Sequence, residues 1–393
     1  VDDSYLEKNK INKGAMSLVE YSIVSKIGSE VKVVNTISGG SVANSIVCIA
    51  QQNLKTAFIG KVKNDTMGAK FSEGLEKQNK KYDIVGIGNA IVDLIAEVDD
   101  SYLNENNISK GAMSLVDFNV INKVCKEVNV VGTISGGSVA NSIVCIAQNK
   151  LNTAFIGKVK DDAMGKKFAE GLAKENVHFK ISQSPTDNYT GRCLILVSPD
   201  AERTMNTYLG ISQELTEQDI DLKTIEESSM LYLEGYLWDL DNAKKAIRKA
   251  IETAKKSNAI IAFSISDQFC VDRFREEFLE IIYSYADIIF ANESEIKSLF
   301  ETNKLESAIK ECQNTNKIFA LTLGEKGAKI VNKSEVININ PENIENLVDT
   351  TGAGDLFAAG FLSKFLTSNN LRVCGEEGVR LASVIIQKFG ARI

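Results

Sequence analysis

Residues 349–355 combine a glycine-rich turn with a carboxylate at the start of an apolar helical stretch. The small residues Gly352, Ala353 and Gly354 let successive backbone N–H groups face one point at a helix N-terminus, where unpaired donors favour negative charge. A carboxylate in this position would repel a bound phosphate unless it acts as a base. The run therefore predicts phosphoryl transfer, in which Asp355 accepts a proton from the attacking hydroxyl and the amides bind the transferred group. The alternative is an ordinary glycine-rich turn with an acidic residue at a helix start.

Two upstream segments carry related patterns. Residues 135–142 read Ser-Gly-Gly-Ser-Val-Ala-Asn-Ser, and residues 86–93 read Gly-Ile-Gly-Asn-Ala-Ile-Val-Asp. Together with residues 349–355, whose final aspartate matches that family's catalytic base, they resemble the signatures of the ribokinase-like carbohydrate and nucleoside kinases, the family that includes adenosine kinase and fructokinase. The resemblance extends over residues 82–393, which is the chain without its N-terminal fifth.

This resemblance implies an acceptor site on the upstream segments. Asp93 is expected to accept hydrogen bonds from two vicinal hydroxyls, which suits a carboxylate because its two oxygens can span a diol. Further contacts to the acceptor are implied for Asn89, Gly136, Gly137 and Asn141. The alternative for Asp93 is a carboxylate at a turn or strand edge. The alternative for residues 135–138 is a simple loop before a helix.

The same resemblance implies an ATP and magnesium site. Asn292 and Glu295 match an Asn-x-x-Glu pattern that organises Mg²⁺ through water and phosphate, an arrangement that suits an ion that keeps much of its water shell. The alternative is a capping pattern at a helix start. Thr322, Gly324 and Gly327 resemble the nucleotide loop, where small residues admit ATP.

The elements around these motifs alternate between apolar strands and helical stretches. Strands are predicted within residues 82–98, 153–157, 193–197, 230–233, 259–265, 288–290 and 318–323. Helices are predicted within residues 141–148, 164–174, 240–256, 273–285 and 293–300. Strands separated by helices imply parallel crossovers, so the chain is predicted to form an α/β, ribokinase-like, doubly wound and mostly parallel sheet flanked by helices.

Two segments, residues 96–116 in part and residues 193–208, look extended without intervening helices, and periodicity alone predicts edge strands there. In the resembled family, these regions form a small β-sheet lid over the sugar. Arg203 lies in the second segment, and we expect it either to reach the transferred phosphate or to be an exposed strand residue.

Composition excludes several functional classes. A formal charge of -7 argues against a nucleic-acid partner, and the single histidine, His178, argues against histidine-based metal sites or nucleophilic catalysis. The seven cysteines form no C-x-x-C pair. Because no apolar run approaches the roughly 18 residues that a membrane span needs, we expect a cytoplasmic protein, monomeric or homodimeric, with a small-molecule substrate and no membrane partner.

An internal repeat occupies the N-terminal part of the chain. Residues 1–80 align without a gap to residues 98–177, and about two-thirds of the positions are identical. The pattern predicts a partial tandem duplication in which the second copy is the functional one, since only that copy follows residues 86–93. The first copy is predicted to be a non-functional appendage, with intramolecular replacement of the second copy as the alternative. The opening at Val1 predicts a truncated or processed N-terminus.

The details of the motifs favour one substrate. Residues 86–93 and 135–142 look closer to the adenosine kinases of the family than to ribokinase, which has Lys where Ser138 stands. The expected activity is phosphorylation of adenosine to AMP by ATP with Mg²⁺. The alternatives are a kinase for fructose, ribose or a 2-keto-3-deoxy sugar acid, and a non-catalytic ligand-binding product of a decayed gene.

Overall fold

The computed structural model of the protein describes residues 80–181, 187–200, 202–368 and 370–392. The strands of this part are β1 (Ile84–Ile87), β2 (Ile91–Glu97), β3 (Met113–Leu115), β4 (Val130–Gly136), β5 (Thr153–Ile156), β6 (Gly191–Val197), β7 (Arg203–Tyr208), β8 (Met230–Glu234), β9 (Ile260–Ser264), β10 (Ile288–Asn292), β11 (Ile318–Thr322), β12 (Ala328–Val331) and β13 (Val336–Ile339). The predictions for the first copy of the repeat, residues 1–80, lie outside the described residues except at Lys80.

The helices of the same part connect these strands. They are α1 (Asp100–Glu105), α2 (Phe118–Glu127), α3 (Ser138–Gln148), α4 (Ala163–Lys174), α5 (Leu222–Glu226), α6 (Asp241–Lys256), α7 (Gln268–Ser284), α8 (Glu293–Leu299), α9 (Leu305–Gln313), α10 (Ala353–Ser368) and α11 (Leu371–Ile385). No helix of the described ranges is long and apolar enough to cross a membrane.

The large sheet has eight strands in the order β13-β12-β11-β10-β9-β8-β1-β5. Neighbours from β5 to β11 pair in parallel, and β12 and β13 complete the far edge in antiparallel pairs. Parallel neighbours need long crossovers, and helices supply most of them here. The predicted doubly wound, mostly parallel sheet flanked by helices is therefore confirmed.

Both faces of this sheet are apolar. In β1 all four residues are buried, with Ile84 in one hydrophobic cluster and Val85 in the other. The first cluster takes side chains from α3, α10 and α11, and the second takes side chains from α6, α7 and α9. Because both faces are covered, the strands read as continuous apolar runs in the sequence.

A second sheet of five strands, in the order β3-β7-β6-β2-β4, has the form expected of the lid. Strand β2 begins four residues after β1 ends, yet it belongs to the small sheet and alternates half-buried with buried side chains. The sequence patterns predict β6 and β7 but miss β4, α1 and α2. Strand β4 is largely exposed and carries Gly, Thr and Ser, so it lacks the apolar alternation that marks a strand.

The last two helices, α10 and α11, pack closely against each other. A Cβ on Gly360 of α10 would lie 2.6 Å from the carbonyl oxygen of Glu377, and one on Gly378 of α11 would lie 2.9 Å from the ring of Phe357. The two glycines therefore let the helix backbones approach more closely than other residues allow.

After α11 the chain returns to the glycine-rich turn that precedes α10. The backbone N–H groups of Val348 and Asp349 donate to the carbonyl oxygen of Ile386, and the N–H of Gly390 donates to the Asp349 carboxylate at 2.9 Å. The segment 386–392 is thereby fixed beside the turn that carries the predicted anion hole.

Candidate active site

Asp355 lies in the first turn of α10, where the N-terminus of α3 meets it. Ser138 Oγ donates to one oxygen of its carboxylate at 2.6 Å, and Asn141 Nδ2 donates to the other at 3.0 Å. Ser142 Oγ donates to the Asp355 carbonyl at 2.8 Å. Burial raises the pKa of Asp355, and the two side-chain hydrogen bonds oppose that rise. The structure therefore brings residues 135–142 and 349–355 together around one carboxylate.

The turn before α10 presents unpaired amides. Gly352 has φ +78°, which favours glycine. The N–H of Ala353 donates to the Thr350 carbonyl oxygen at 3.2 Å and so belongs to the turn. Within the part of the chain that the structure describes, the N–H groups of Gly352, Gly354 and Asp355 donate to no protein group. Two of the three predicted amides, and that of Asp355 itself, are thus available to an anion.

A large cavity opens on one side of Asp355. Its volume is about 400 Å³. Its lining residues come from β8 to β11, from the turns after these strands and from the starts of α3 and α10: Ser138, Tyr232, Tyr236, Ser264, Ser266, Phe290, Ala291, Asn292, Glu295, Ala320, Thr322, Gly352, Gly354, Asp355 and Phe357. Ligands of open α/β sheets gather at such carboxyl ends of strands.

The predicted nucleotide loop only partly faces this cavity. Thr322 lines it, whereas Gly324 and Gly327 are not among the lining residues. Gly327 has φ +81°, and a Cβ there would lie 2.2 Å from the Ile339 carbonyl oxygen, so this glycine is needed for the β11–β12 hairpin. Gly324 has φ +60° and no neighbouring atom within 4 Å of a built Cβ.

Asn292 and Glu295 face the cavity and also cap α8. Asn292 Oδ1 accepts from the Glu295 N–H at 2.9 Å, and a Glu295 oxygen accepts from the Asn292 N–H at 2.8 Å. Burial raises the pKa of Glu295 to about 7. Among the described residues, no group of three or more His, Cys, Asp or Glu side chains is arranged to bind a metal. An ion at this pair would therefore need water or phosphate oxygens as its other ligands.

A smaller and almost closed cavity of about 10 Å³ is lined by Asn141. Its lining residues come from the small sheet, from α3, from the turn before α10 and from the segment after α11: Asp93, Ile95, Ile134, Ser135, Asn141, Ile195, Arg203, Thr351, Gly390, Ala391 and Arg392. We call it the acceptor-side cavity, and the larger one the nucleotide-side cavity.

Asp93 is the carboxylate of the acceptor-side cavity. A Cβ on Gly136 would lie 2.4 Å from one of its oxygens, so the first glycine of the pair makes room for the carboxylate. No described residue donates a hydrogen bond to the Asp93 carboxylate. Burial raises its pKa to about 7, although the nearby charges of Arg392 and Arg203 oppose that rise.

Asn89 is buried and lines neither of these two cavities. Its backbone N–H and side-chain Nδ2 donate to a Glu234 oxygen at 2.7 and 3.1 Å, and its Oδ1 accepts from Ser212 Oγ at 2.9 Å. The other Glu234 oxygen accepts from the Val139 N–H at 3.0 Å. Gly137 has φ +100°, and a Cβ there would lie 2.1 Å from the Asn89 carbonyl oxygen. Asn89 and Glu234 therefore join the end of β1 to the start of α3.

Arg203 is a buried residue of the acceptor-side cavity. Its Nη1 lies 2.7 Å from an Asp349 oxygen, and the two side chains are 8% and 5% exposed. The guanidinium also lies over the ring of Phe389 at 5.7 Å. The alternative of an exposed strand arginine is therefore wrong, and the expected reach of Arg203 to a phosphate stays a prediction.

Four residues of the site escape the sequence interpretation: Ser138, Glu234, Asp349 and Arg392. Ser138 and Asp349 lie inside the two motifs, but the sequence interpretation assigned no role to either residue. Glu234 ends an ordinary apolar strand and Arg392 follows the last helix, where no pattern distinguishes either residue. Their partners are distant in the sequence, so only the fold reveals them.

The comparisons with known proteins agree with this geometry. The family model described as pfkB family carbohydrate kinase matches residues 81–393. The chain belongs to the pfkB family. The predicted resemblance to ribokinase-like kinases is thereby confirmed, and the protein is a pfkB kinase that acts on a sugar or a nucleoside.

Relatives of this pfkB kinase include nucleoside and sugar kinases. The crystal structure of adenosine kinase from Sinorhizobium meliloti is 40% identical, covers 80% of this chain and 96% of its own, and has a TM-score of 0.72. A probable sugar kinase from Rhizobium etli CFN 42 is 37% identical, covers 80% and 95%, and has a TM-score of 0.73. Adenosine kinase 2 of Arabidopsis thaliana is 26% identical over 338 residues, which are 78% of this chain and 94% of that protein.

The two glycines of the turn should separate stability from activity. A Cβ on Gly354 would meet no atom within 4 Å, so Gly354→Ala should leave the midpoint of urea unfolding unchanged or slightly raised. The new methyl group would stand beside the unpaired amides and displace the transferred group, lowering kcat by about 10- to 100-fold.

Gly352→Ala is the matched comparison. Gly352 has a positive φ, and a Cβ there would lie only 2.8 Å from the Ala391 Cα. The substitution should therefore lower the free energy of unfolding by about 1–2 kcal/mol. Full activity of Gly354→Ala, or equal stability of the two variants, would contradict this assignment of the turn.

Proposed function

We propose that this pfkB kinase transfers the γ-phosphoryl group of ATP to the 5′-hydroxyl of adenosine, with Asp355 as the general base. The observation that carries the proposal is the position of the Asp355 carboxylate, which lies next to unpaired amides, lines the nucleotide-side cavity and accepts a hydrogen bond from Asn141 of the acceptor-side cavity. A base in this position can reach a hydroxyl from one side while the phosphate arrives from the other.

Asp355 suits the role of a proton acceptor. Ser138 and Asn141 fix both of its oxygens, so the carboxylate has a defined orientation. Burial raises its pKa, which makes the carboxylate a stronger base, and the two donated hydrogen bonds oppose that rise. The amides of Gly352, Gly354 and Asp355 are the donors for the negative oxygens of the transferred group.

Asp93 suits the role of an acceptor-binding group. Its carboxylate faces the acceptor-side cavity and both of its oxygens are free to accept from vicinal hydroxyls. Asn141 links this cavity to the base, because its Oδ1 accepts from Arg392 Nε and its Nδ2 donates to Asp355. Gly136 and Gly137 provide room, and Asn89 positions the start of α3 through Glu234.

The nucleotide-side cavity suits ATP and Mg²⁺. Asn292 and Glu295 line this cavity and are too few to bind an ion alone, which fits Mg²⁺ bound largely through water and phosphate. When bound, the ion would neutralise charge on the phosphates. Thr322 lies in the same lining and would contact the nucleotide.

Two kinds of acceptor have specific support. The 40% identity to the adenosine kinase of Sinorhizobium meliloti, over 96% of that chain, favours adenosine. The apolar side chains of Ile95, Ile134 and Ile195 in the acceptor-side cavity also suit the face of a nucleoside. The 37% identity to a probable sugar kinase of Rhizobium etli supports a sugar as the second candidate.

A panel of acceptors tests the proposed function directly. With ATP and Mg²⁺, an assay of ADP release should give the highest kcat/KM for adenosine and lower values for ribose, fructose and 2-keto-3-deoxygluconate. A higher value for one of the sugars would replace adenosine as the acceptor. Calorimetric binding without ADP release for all four compounds would show a non-catalytic binding protein.

Asp355→Asn should separate chemistry from binding. The amide retains the size of the side chain but cannot accept a proton, so kcat should fall by about 10²- to 10⁴-fold while the acceptor Kd changes less than about threefold. Asp241→Asn makes the same change in the first turn of α6, on the opposite face of the sheet, and should have no effect. A parallel loss of acceptor binding in Asp355→Asn would contradict the role of base.

Acceptor binding should depend on pH through Asp93. Its pKa lies at about 7, above the ordinary value, so its carboxylate gains a proton as the pH falls through 7 and can then accept fewer hydrogen bonds. The acceptor KM should rise towards about tenfold per pH unit below that point, and the ATP KM should change less. Asp93→Asn should bind the acceptor weakly at all pH values, and a remaining pH dependence of its acceptor KM would assign the titration to another group.

A further inference from the structure

Arg392 reaches the acceptor-side cavity from the segment that follows α11. The bond from the Gly390 N–H to the Asp349 carboxylate, at 2.9 Å, fixes the backbone of this segment two residues earlier. From there Arg392 Nε donates to Asn141 Oδ1 at 3.1 Å, and its Nη1 donates to Ser135 Oγ. The side chain is thus held by two residues of the β4–α3 motif, at a distance of 251 positions or more in the sequence.

One nitrogen of this guanidinium remains without a partner. Nη2 of Arg392 is buried, and within the described residues no group accepts a hydrogen bond from it. A buried donor that lacks a partner destabilises the folded protein, and a charged donor does so most strongly. Arg392 and Asp93 both line the acceptor-side cavity. An oxygen atom of a compound bound there could therefore accept the hydrogen bond from Nη2.

Arg392 and Asp93 are complementary in their hydrogen bonding. An ionised aspartate only accepts hydrogen bonds, and an arginine only donates them. A hydroxyl group does both, so one hydroxyl, or two on neighbouring carbons, can donate to Asp93 and accept from Arg392. Burial lowers the pKa of Arg392 to about 10, which still leaves it charged at neutral pH.

We propose that Arg392 binds the acceptor, donating from Nη2 to a ring hydroxyl whose own hydrogen is donated to Asp93. The class of ligand is a furanose with vicinal hydroxyls, free or as part of a nucleoside. This inference rests on the proposed function in one respect, since it takes the acceptor-side cavity as the place where the phosphorylated compound binds.

An arginine suits this task better than a lysine. The planar guanidinium presents its donors in fixed directions, so the contacts to Ser135 and Asn141 also fix the direction of Nη2. A lysine ammonium at the same position would keep the charge but lose this geometry. Charge and direction can therefore be tested separately with Arg392→Lys and Arg392→Gln.

Calorimetric binding without ATP tests the proposal. The probes are adenosine, 2′-deoxyadenosine, 3′-deoxyadenosine and ribose, titrated into the full chain and into Arg392→Gln and Arg392→Lys. Loss of one charged hydrogen bond should raise the Kd of adenosine about 10- to 100-fold in Arg392→Gln. The deoxy compound that lacks the contacted hydroxyl should lose much less affinity in the same variant, because its partner for Nη2 is already absent.

Arg380→Gln is the matched control. Arg380 lies on α11, is exposed and pairs with Glu377 at 2.8 Å, so its replacement removes a paired guanidinium outside both cavities. Its Kd values for all four probes should equal those of the unchanged chain. Urea unfolding of each variant shows whether a loss of affinity reflects a loss of folded protein.

The outcomes separate this inference from the proposed function. A lower Kd for adenosine in Arg392→Gln would show that the arginine competes with the acceptor. An equal loss of affinity for all nucleosides would show that the arginine only stabilises the cavity. Either result overturns the inference. Selective loss of affinity without ADP release by the unchanged chain would retain Arg392 as a ligand contact and reject the kinase proposal. No binding of any probe to the unchanged chain would overturn the inference, while ADP release with fructose would still leave a sugar kinase.

Discussion

The partial burial of one carboxylate between two helix N-termini is the constraint on which this site depends. Asp355 loses most of its contact with water, so its oxygens need protein donors, and both come from α3. The start of α3 must therefore lie against the start of α10. Glycines at positive φ, Gly137 and Gly352, precede the two helices and allow this approach. The positive ends of both helix dipoles then favour negative charge at the same point.

The charges around this point balance one another only in part. Burial raises the pKa of Asp93, Glu234 and Asp355, and the guanidinium of Arg392 lies close enough to the first and the last of them to oppose the effect. Glu234 instead accepts three hydrogen bonds, two from Asn89 in the turn after β1 and one from the N–H of Val139 in α3. Clusters of carboxylates with raised pKa values are costly for folding, and they are typical of sites that bind and move protons.

The sequence predicted the sheet and the motif positions well because both depend on local patterns. Apolar runs separated by helical periodicity specified the parallel strands, and glycine-rich turns marked the helix starts. The small sheet was predicted in part only, since the sequence of β4 has no alternation of apolar and polar residues and only its last two residues are buried. Contacts such as Arg203 with Asp349, or Arg392 with Asn141, join residues more than 140 positions apart. No local pattern encodes such pairs, so they appear only when the chain is folded.

The separation of the two sheets has an evolutionary consequence. Asp93 belongs to β2 of the small sheet, whereas Asp355 and the unpaired amides belong to α10, which packs on the large sheet. Mutations in the small sheet can therefore change the shape of the acceptor-side cavity while Asp355 and the unpaired amides stay in place. One ancestral scaffold can diverge in this way towards nucleosides or hexoses, which accords with the mixture of adenosine and sugar kinases that resemble this chain.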